Sequence, residues 1–229
     1  MAIQEEIHWF QKAIGSLMYL MLGTRPDIAF PVSCLSRHMA NPIQSHTSAV
    51  KRVFRYLNGS QDLELVFQGE LQPLQGYTDS SFADDRTTRR STSGYFFHVG
   101  SGAISWSSKR QPTVALSSCE AEYTAETQAA KEAIWLRRLL QEMLQQVNQN
   151  PTTIFADNQG AIALAKNPQF HARTKHIDTH VHFVREKQAE GVISLEYIPT
   201  ERQLADGLTK PLPREPFQRF RTALGLTRL

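Results

Sequence analysis

The chain has 229 residues, a net charge of +3 and a pI near 8.9, with 41% hydrophobic and 21% charged residues, which is the composition of an ordinary soluble globular protein of one large domain or one domain plus an appendage. The mildly basic balance is compatible with a polyanionic partner without requiring one. Its two cysteines, Cys34 and Cys119, are too few for a disulfide framework or a four-cysteine zinc site, so a reducing compartment is expected.

In chain order, residues 5–22 read as a helix. Its apolar part, Ala13 to Leu22, is too short to span a bilayer. Glu5 and Glu6 precede it where a signal peptide needs a basic cluster, and no small-residue cleavage site follows before Arg25. A core helix is expected, and an intracellular protein. Arg25-Pro26-Asp27 breaks the pattern and starts a second helix to Met39, with Pro26 in its first turn. After Asn41-Pro42, residues 45–56 have helical spacing, with Val50, Val53, Phe54 and Leu57 on one side. Asn58-Gly59-Ser60 closes this all-helical start.

Strands follow at 63–67 and 75–82, then a hairpin of 92–99 and 103–107 around Gly100-Ser101-Gly102. A long helix is expected over 118–146, a buried-type strand over 152–156, and helices over 159–165 and 174–189. A strand at 192–198, a short helix at 204–208 and a last helix at 213–224 complete the chain. This order implies an α/β fold, a mixed sheet with helices packed on it.

Four acids stand at the ends of apolar strand-like runs or inside helix-like ones, where a lone carboxylate is costly to bury. They are Asp79 in GYTDSSFADD, Glu122 in SSCEAEYTA, Asp157 in IFADNQGAIAL and Asp206 in ERQLADGLTK. Converging on cations would account for all four, and oxygen-only ligands suit Mg²⁺ or Mn²⁺. Asp84 and Asp85 fit a turn better than Asp79 does. Ser117-Ser118-Cys119-Glu120 matches a capping box, a sufficient structural role for Glu120. Glu122 lies about 200° further round the helix, on the stripe of Ala125, Ala129, Leu136 and Leu140 that faces the sheet. Glu126, one turn on, is the fallback. Asp157 reads equally as a helix N-cap and as a site residue at the carboxyl end of a strand. Asp206 alone reads as a surface helix acid. His171, His176, His180 and His182 lack an H-E-x-x-H pattern and a nearby cysteine, so exposed helix histidines are expected there rather than zinc ligands. Trp106 and Trp135 read as packing residues.

The strings GYTDSSFADD, RRSTSGYFFHVGSGAISWSSKRQPTVALSSCEAEYTA, AIWLRRLL, FADNQGAIALAKNP, RTKHIDTHVHFVRE and LADGLTKPL resemble the ribonuclease H domain of copia-type LTR retrotransposon Pol polyproteins. AIGSLMYLMLGTRPDIAFPVSCLSRHM and AVKRVFRYLNGS are similar to the tail that follows that family's reverse transcriptase palm. The resemblance implies a ribonuclease H-like fold, with a five-stranded mixed sheet flanked by helices over 63–229 and a small all-helical segment over 1–62. It implies hydrolysis of the RNA strand of an RNA–DNA hybrid with two Mg²⁺ ions, Mn²⁺ being a substitute, held by Asp79, Glu122, Asp157 and Asp206. The E-[LY]-x-A pattern, here Glu122-Tyr123-Thr124-Ala125, agrees with the capping argument. Substrate-binding candidates are Arg89, Arg90, Ser118, Lys109, Arg110 and Asn158; for the cations, a charged edge that blocks strand pairing is the plain alternative.

Two features depart from relatives of this kind. No histidine occurs in 198–203, where many cellular ribonucleases H carry one, and no Tyr-x-Asp-Asp motif marks a polymerase palm. The half helical module at the start suggests a fragment. It would expose Leu17, Tyr19, Leu20 and Met21, motivating a second reading as a silent remnant that binds nucleic acid or packs against the palm or another Pol subunit. A DNA-cutting relative, such as a transposase or resolvase, is a third.

Overall fold

The computed structural model describes residues 4–70, 72–144, 150–166 and 178–228, the side chains of 178–181 excepted. The elements are α1 (Gln4–Gly23), a 3₁₀ turn (Pro26–Ile28), α2 (Ala29–Ser36), α3 (Gln44–Asn58), β1 (Glu64–Leu65), β2 (Gln75–Ser81), β3 (Thr92–Val99), β4 (Gly102–Arg110), α4 (Ser118–Leu144), β5 (Thr152–Ala156), α5 (Gln159–Lys166), α6 (Asp178–Ala189), β6 (Ile193–Tyr197), 3₁₀ turns at Thr200–Arg202 and Ala205–Leu208, α7 (Arg214–Ala223) and β7 (Leu226–Thr227). The helix expected over 174–189 is seen from Asp178 onward. His171, His176 and the His180 side chain lie outside the described residues.

The main sheet has five strands in the order β4-β3-β2-β5-β6. β2, β3 and β4 form an antiparallel meander, whereas β5 and β6 run parallel to β2. α4 connects the meander to β5, and α5 and α6 connect β5 to β6, because parallel neighbours need a crossover. This mixed sheet with its helices is the ribonuclease H-like arrangement that the resemblance implied.

Side-chain alternation along the strands feeds two cores. Phe97 points to the face covered by α4, α5 and α6, where it joins Ala129, Ala133, Ile154 and Leu195. Its neighbour Phe96 points to the opposite face, packed by Ala29, Leu208, Phe220 and Leu226. A third cluster, with Phe10, Ile14, Leu17, Val32 and Val50 at its centre, holds α1, α2 and α3 together. Gly76 marks how closely the sheet approaches its own core, since a Cβ there would lie 2.3 Å from the Phe97 ring. Gly76→Ala is therefore expected to cost about 1–3 kcal/mol as an overpacked position, read as a lower midpoint in chemical denaturation with cleavage of substrate as a separate measurement.

Four expectations need correction. The segment 63–67 contributes only β1, which lies outside the main sheet and pairs antiparallel with β7 near the other end of the chain. A two-residue strand after Gly225 is too short to show a period of two. Leu17 is fully buried and Met21 half-buried in the helical segment's packing, although Tyr19 is 82% exposed as expected. Trp135 is 55% exposed, whereas Trp106 is half-buried and donates its indole N–H to the Met21 carbonyl at 3.0 Å. Phe54, placed on the apolar side of α3, stands exposed.

The helical segment is tied to the sheet by more than apolar contact. Arg37 donates to Thr92 Oγ1 at 3.1 Å and lies 3.6 Å from Asp85. Within the segment, buried Arg25 forks onto both oxygens of Asp27, at 3.0 and 2.8 Å, and reaches Ser60. No helix among the described residues is long and apolar enough to cross a membrane.

Candidate active site

Asp79 lies in the central strand β2, in register with Gly94 of β3. Asp157 follows the last residue of the adjacent parallel strand β5, and Glu122 projects from the second turn of α4. Asp79, Glu122 and Asp157 each bring a carboxylate oxygen into one cluster, all within 4.8 Å of one another. Asp206, in the 3₁₀ turn of Ala205–Leu208, lies near enough for its charge to act on Asp79. Its Oδ1 is paired with Lys210 Nζ at 2.8 Å, an i,i+4 ion pair. The structure thus gathers all four predicted acids, three in a common cluster and the fourth against Asp79.

Local structure explains why these acids and not their neighbours meet. Ser117 Oγ accepts from the Glu120 N–H at 3.1 Å, while Glu120 Oε2 accepts from the Leu116 N–H at 2.7 Å. Glu120 is therefore occupied in capping α4, as expected. The cap of α5 is Asn158, whose Oδ1 accepts from the Ala161 N–H at 2.9 Å, which leaves Asp157 for the cluster and resolves its two readings. Glu126 is fully buried with both oxygens lacking hydrogen bonds. Burial pushes its pKa well above the ordinary glutamate value, and it lies outside the cluster.

The electrostatics are those of charge crowded into a dry place. Burial, then the charge of Asp206, raises Asp79 to about 7, against the opposing hydrogen bond from Thr209. Burial, then Asp79 and Asp157, pushes Glu122 well above the ordinary range. Burial raises Asp206 as well, against the pull of Lys210. Burial alone would lower Lys210, but the Asp206 hydrogen bond and the charges of Asp79, Asp206 and Asp157 outweigh it and raise its pKa.

This donor set fits a divalent cation. It is all oxygen, as Mg²⁺ and Mn²⁺ require, and Glu122 Oε2 is buried with no hydrogen-bond partner. A cation would satisfy such an orphaned oxygen and offset such crowded charge.

Several supporting residues were not singled out from the sequence. Buried Gln111 donates to Ser93 Oγ at 2.9 Å and to the Ala121 carbonyl at 2.8 Å, pinning the start of α4 to the meander beside Asp79. Gln203, Thr209 and Lys210 flank Asp206. The signal for Lys210 was its i+4 spacing from Asp206; Gln111, Gln203 and Thr209 are ordinary polar residues until the fold brings them home.

The substrate-binding candidates are placed as follows. Arg110 is already engaged, its Nη1 donating to Asp85 Oδ2 at 2.6 Å. Burial opposes the Asp85 charge, but Arg110 and the Thr87 and Thr88 backbone hold its pKa below the ordinary carboxylate range. Lys109, in register with Ser93, is exposed, as are Ser118 at the start of α4 and Arg89, whose φ is +56°. Arg90 is half-buried, and Asn158 is the α5 cap.

No protein-family model matches the chain. The chain is 45% identical over 217 residues to the retrovirus-related Pol polyprotein from transposon TNT 1-94 of Nicotiana tabacum, covering 95% of this chain and 16% of that protein. It is 40% identical over 221 residues to the Pol polyprotein from transposon RE1 of Arabidopsis thaliana, covering 96% of this chain and 15% of that one. It therefore spans about a sixth of the length of these relatives. Among solved structures, the N-terminal RNase H domain of Rv2228c from Mycobacterium tuberculosis, fused to maltose-binding protein, is similar with a TM-score of 0.45 and 12% identity over 61% of this chain and 91% of that one.

Proposed function

This chain belongs to the retrovirus-related Pol polyproteins of copia-type transposons, and from that premise we propose that it is a metal-dependent ribonuclease H, cutting the RNA strand of RNA–DNA hybrids. The observation that carries this reading is the convergence of Asp79, Glu122 and Asp157, with Asp206 against them, on the central strand of a ribonuclease H-like sheet.

The residues have distinct parts in it. Asp79, from the middle of the sheet, would hold two Mg²⁺ ions together with Glu122, Asp157 and Asp206. When bound, the ions would supply an activated water and a counter-charge for the departing 3′-oxygen. The protein's own contribution is to hold the carboxylates rigidly in a buried site, so that little reorganisation remains at the moment of reaction. Residues 198–203 bring no histidine to the site; the protein cation beside Asp206 is Lys210. Exposed Lys109 and Arg89 are proposed phosphate contacts, and the 2′-hydroxyls of the RNA strand would distinguish a hybrid from DNA.

We divide the chain into a helical reverse transcriptase tail over 1–62 and a ribonuclease H-like unit over 63–229. The ribbon of β1 and β7, which joins the two ends of the second unit, supports this division. The docking of α1 and α2 on that unit suits a partner such as the palm or another Pol subunit. The silent-remnant reading is not favoured, because the acidic site remains assembled.

The test is a cleavage assay with Mg²⁺ on three end-labelled substrates: an RNA–DNA hybrid, duplex DNA and duplex RNA. Cutting confined to the RNA strand of the hybrid, and stopped by a chelator, is the expected result. Cutting of duplex DNA at a comparable rate would overturn the hybrid assignment in favour of a DNA-cutting relative.

A further inference from the structure

The turn that carries Asp206 belongs to no sheet, so no backbone ladder fixes it against β2. Side chains do so instead. Buried Gln203 donates Nε2 to the Thr78 carbonyl at 2.9 Å and accepts from the Ala205 N–H at 3.0 Å. That ties the entry of the turn to the residue before Asp79. At the exit, fully buried Thr209 donates its hydroxyl to Asp79 Oδ2. The hydroxyl has a single hydrogen, and Asp79 is the nearer acceptor; the Asp206 carbonyl is 3.2 Å away. The methyl group is seated too. A Cβ on Gly94, the register partner of Asp79, would lie 2.7 Å from Thr209 Cγ2. With its methyl against β3, the Thr209 hydroxyl has a defined direction. It is a neutral donor aimed at the acid on which the other three converge.

We propose that Thr209 is a positioning residue for the reaction, its hydroxyl holding one oxygen of Asp79 and so fixing how that carboxylate is turned in the cluster with Glu122 and Asp157. This rests on the metal-dependent hydrolase reading above. Without the donor, the Asp79 carboxylate is free to turn about its terminal torsion, which is broad and roughly two-fold, and its oxygens no longer have assigned tasks. Groups that orient metal-ligating side chains typically contribute 10–100-fold to metal affinity or activity.

The experiment compares Thr209→Val, which keeps the shape and loses the hydroxyl, with Thr209→Ser, which keeps the hydroxyl and loses the methyl. Mn²⁺ binding to the full chain is measured by isothermal titration calorimetry, alongside kcat and KM on a hybrid. Thr209→Val is expected to weaken Mn²⁺ binding about tenfold or more and to lower kcat with KM for the hybrid unchanged, while Thr209→Ser stays within about threefold of the parent. In an Asp79→Asn background, Thr209→Val should add no further loss. Parent-like Mn²⁺ binding by Thr209→Val overturns the proposal. So does Thr209→Ser failing as badly as Thr209→Val, because that makes the role one of packing. Should Thr209→Val not fold, Thr209→Ala against Thr209→Ser decides by the same criterion. A parent protein that binds no Mn²⁺, or binds it equally well as Asp79→Asn, brings down the metal reading of the site and this proposal with it; parent binding with an unaffected Thr209→Val brings down the proposal alone.

Discussion

Asp79→Asn protein, given Mg²⁺ and an RNA–DNA hybrid, is expected to cut the RNA strand at least about a thousand-fold more slowly than the parent. Asp79 is the acid common to the whole site: it is within 4.8 Å of Glu122 and Asp157 at a ligand atom, and it feels the charge of Asp206. Metal-borne stabilisation of the transition state is worth several kcal/mol, and roughly 4 kcal/mol corresponds to a thousand-fold in rate. Asparagine keeps the shape and the Thr209 contact while removing the charge, so binding of hybrid should survive. Glu120→Gln is the internal control, because Glu120 caps α4 and stands outside the cluster. Cutting by Asp79→Asn at more than about a tenth of the parental rate would remove these carboxylates from the chemistry.

The second expectation concerns the protein without metal. Its stability should fall as pH rises from about 5 to about 8, and Mg²⁺ should restore it at the upper end. Free carboxyls titrate near 4, whereas burial and neighbouring charge raise Asp79 to about 7 and raise Glu122 and Asp206 as well. Between those values the folded protein holds protons that the unfolded chain has released. Stability must then decrease with rising pH. Asp79 alone, moving from near 4 to about 7, accounts for roughly 3 kcal/mol of this fall. His38 and His98, lowered chiefly by burial, push the other way. Asp85, held low, acts only below this window.

Metal ions bind the deprotonated carboxylates, so saturating Mg²⁺ should contribute about 3 kcal/mol at a hundredfold excess over Kd. That is a rise in Tm of about 5–10 °C for a chain of this size. Asp79→Asn should be at least as stable as the parent without metal near pH 8 and should lose most of the Mg²⁺ response. Thermal unfolding in chelator and in Mg²⁺ across this range decides the matter. A metal-free Tm that climbs towards pH 8, or an undiminished Mg²⁺ response in Asp79→Asn, contradicts the buried-acid account.

The choice of Glu122 over Glu120 was legible from the chain, because a capping box is a local pattern. Its hydrogen bonds at Ser117 and Leu116 are made within a few residues of sequence. Asp157 was not separable from an N-cap by pattern, since an aspartate and an asparagine stand side by side and only the folded backbone chooses Asn158. Glu126 shows the opposite difficulty. It lies on the same packed stripe as Glu122, and periodicity cannot say which of two acids one turn apart meets the end of β5. The isolation of β1 from the main sheet was likewise invisible, because its partner β7 lies far along the chain.

By itself the sequence determined the elements and the apolar faces that pack them, because caps, breaks and hydrophobic periods act over a few residues, while Asp206 joined the other three acids only through the family resemblance. Only the tertiary structure decided which polar neighbours complete the site. Gln203 reaches Thr78 across 125 residues and Thr209 reaches Asp79 across 130. No local pattern records such bonds, since a buried donor finds its acceptor only after the sheet, α4 and the Asp206 turn have closed around it and excluded the water that satisfied both before.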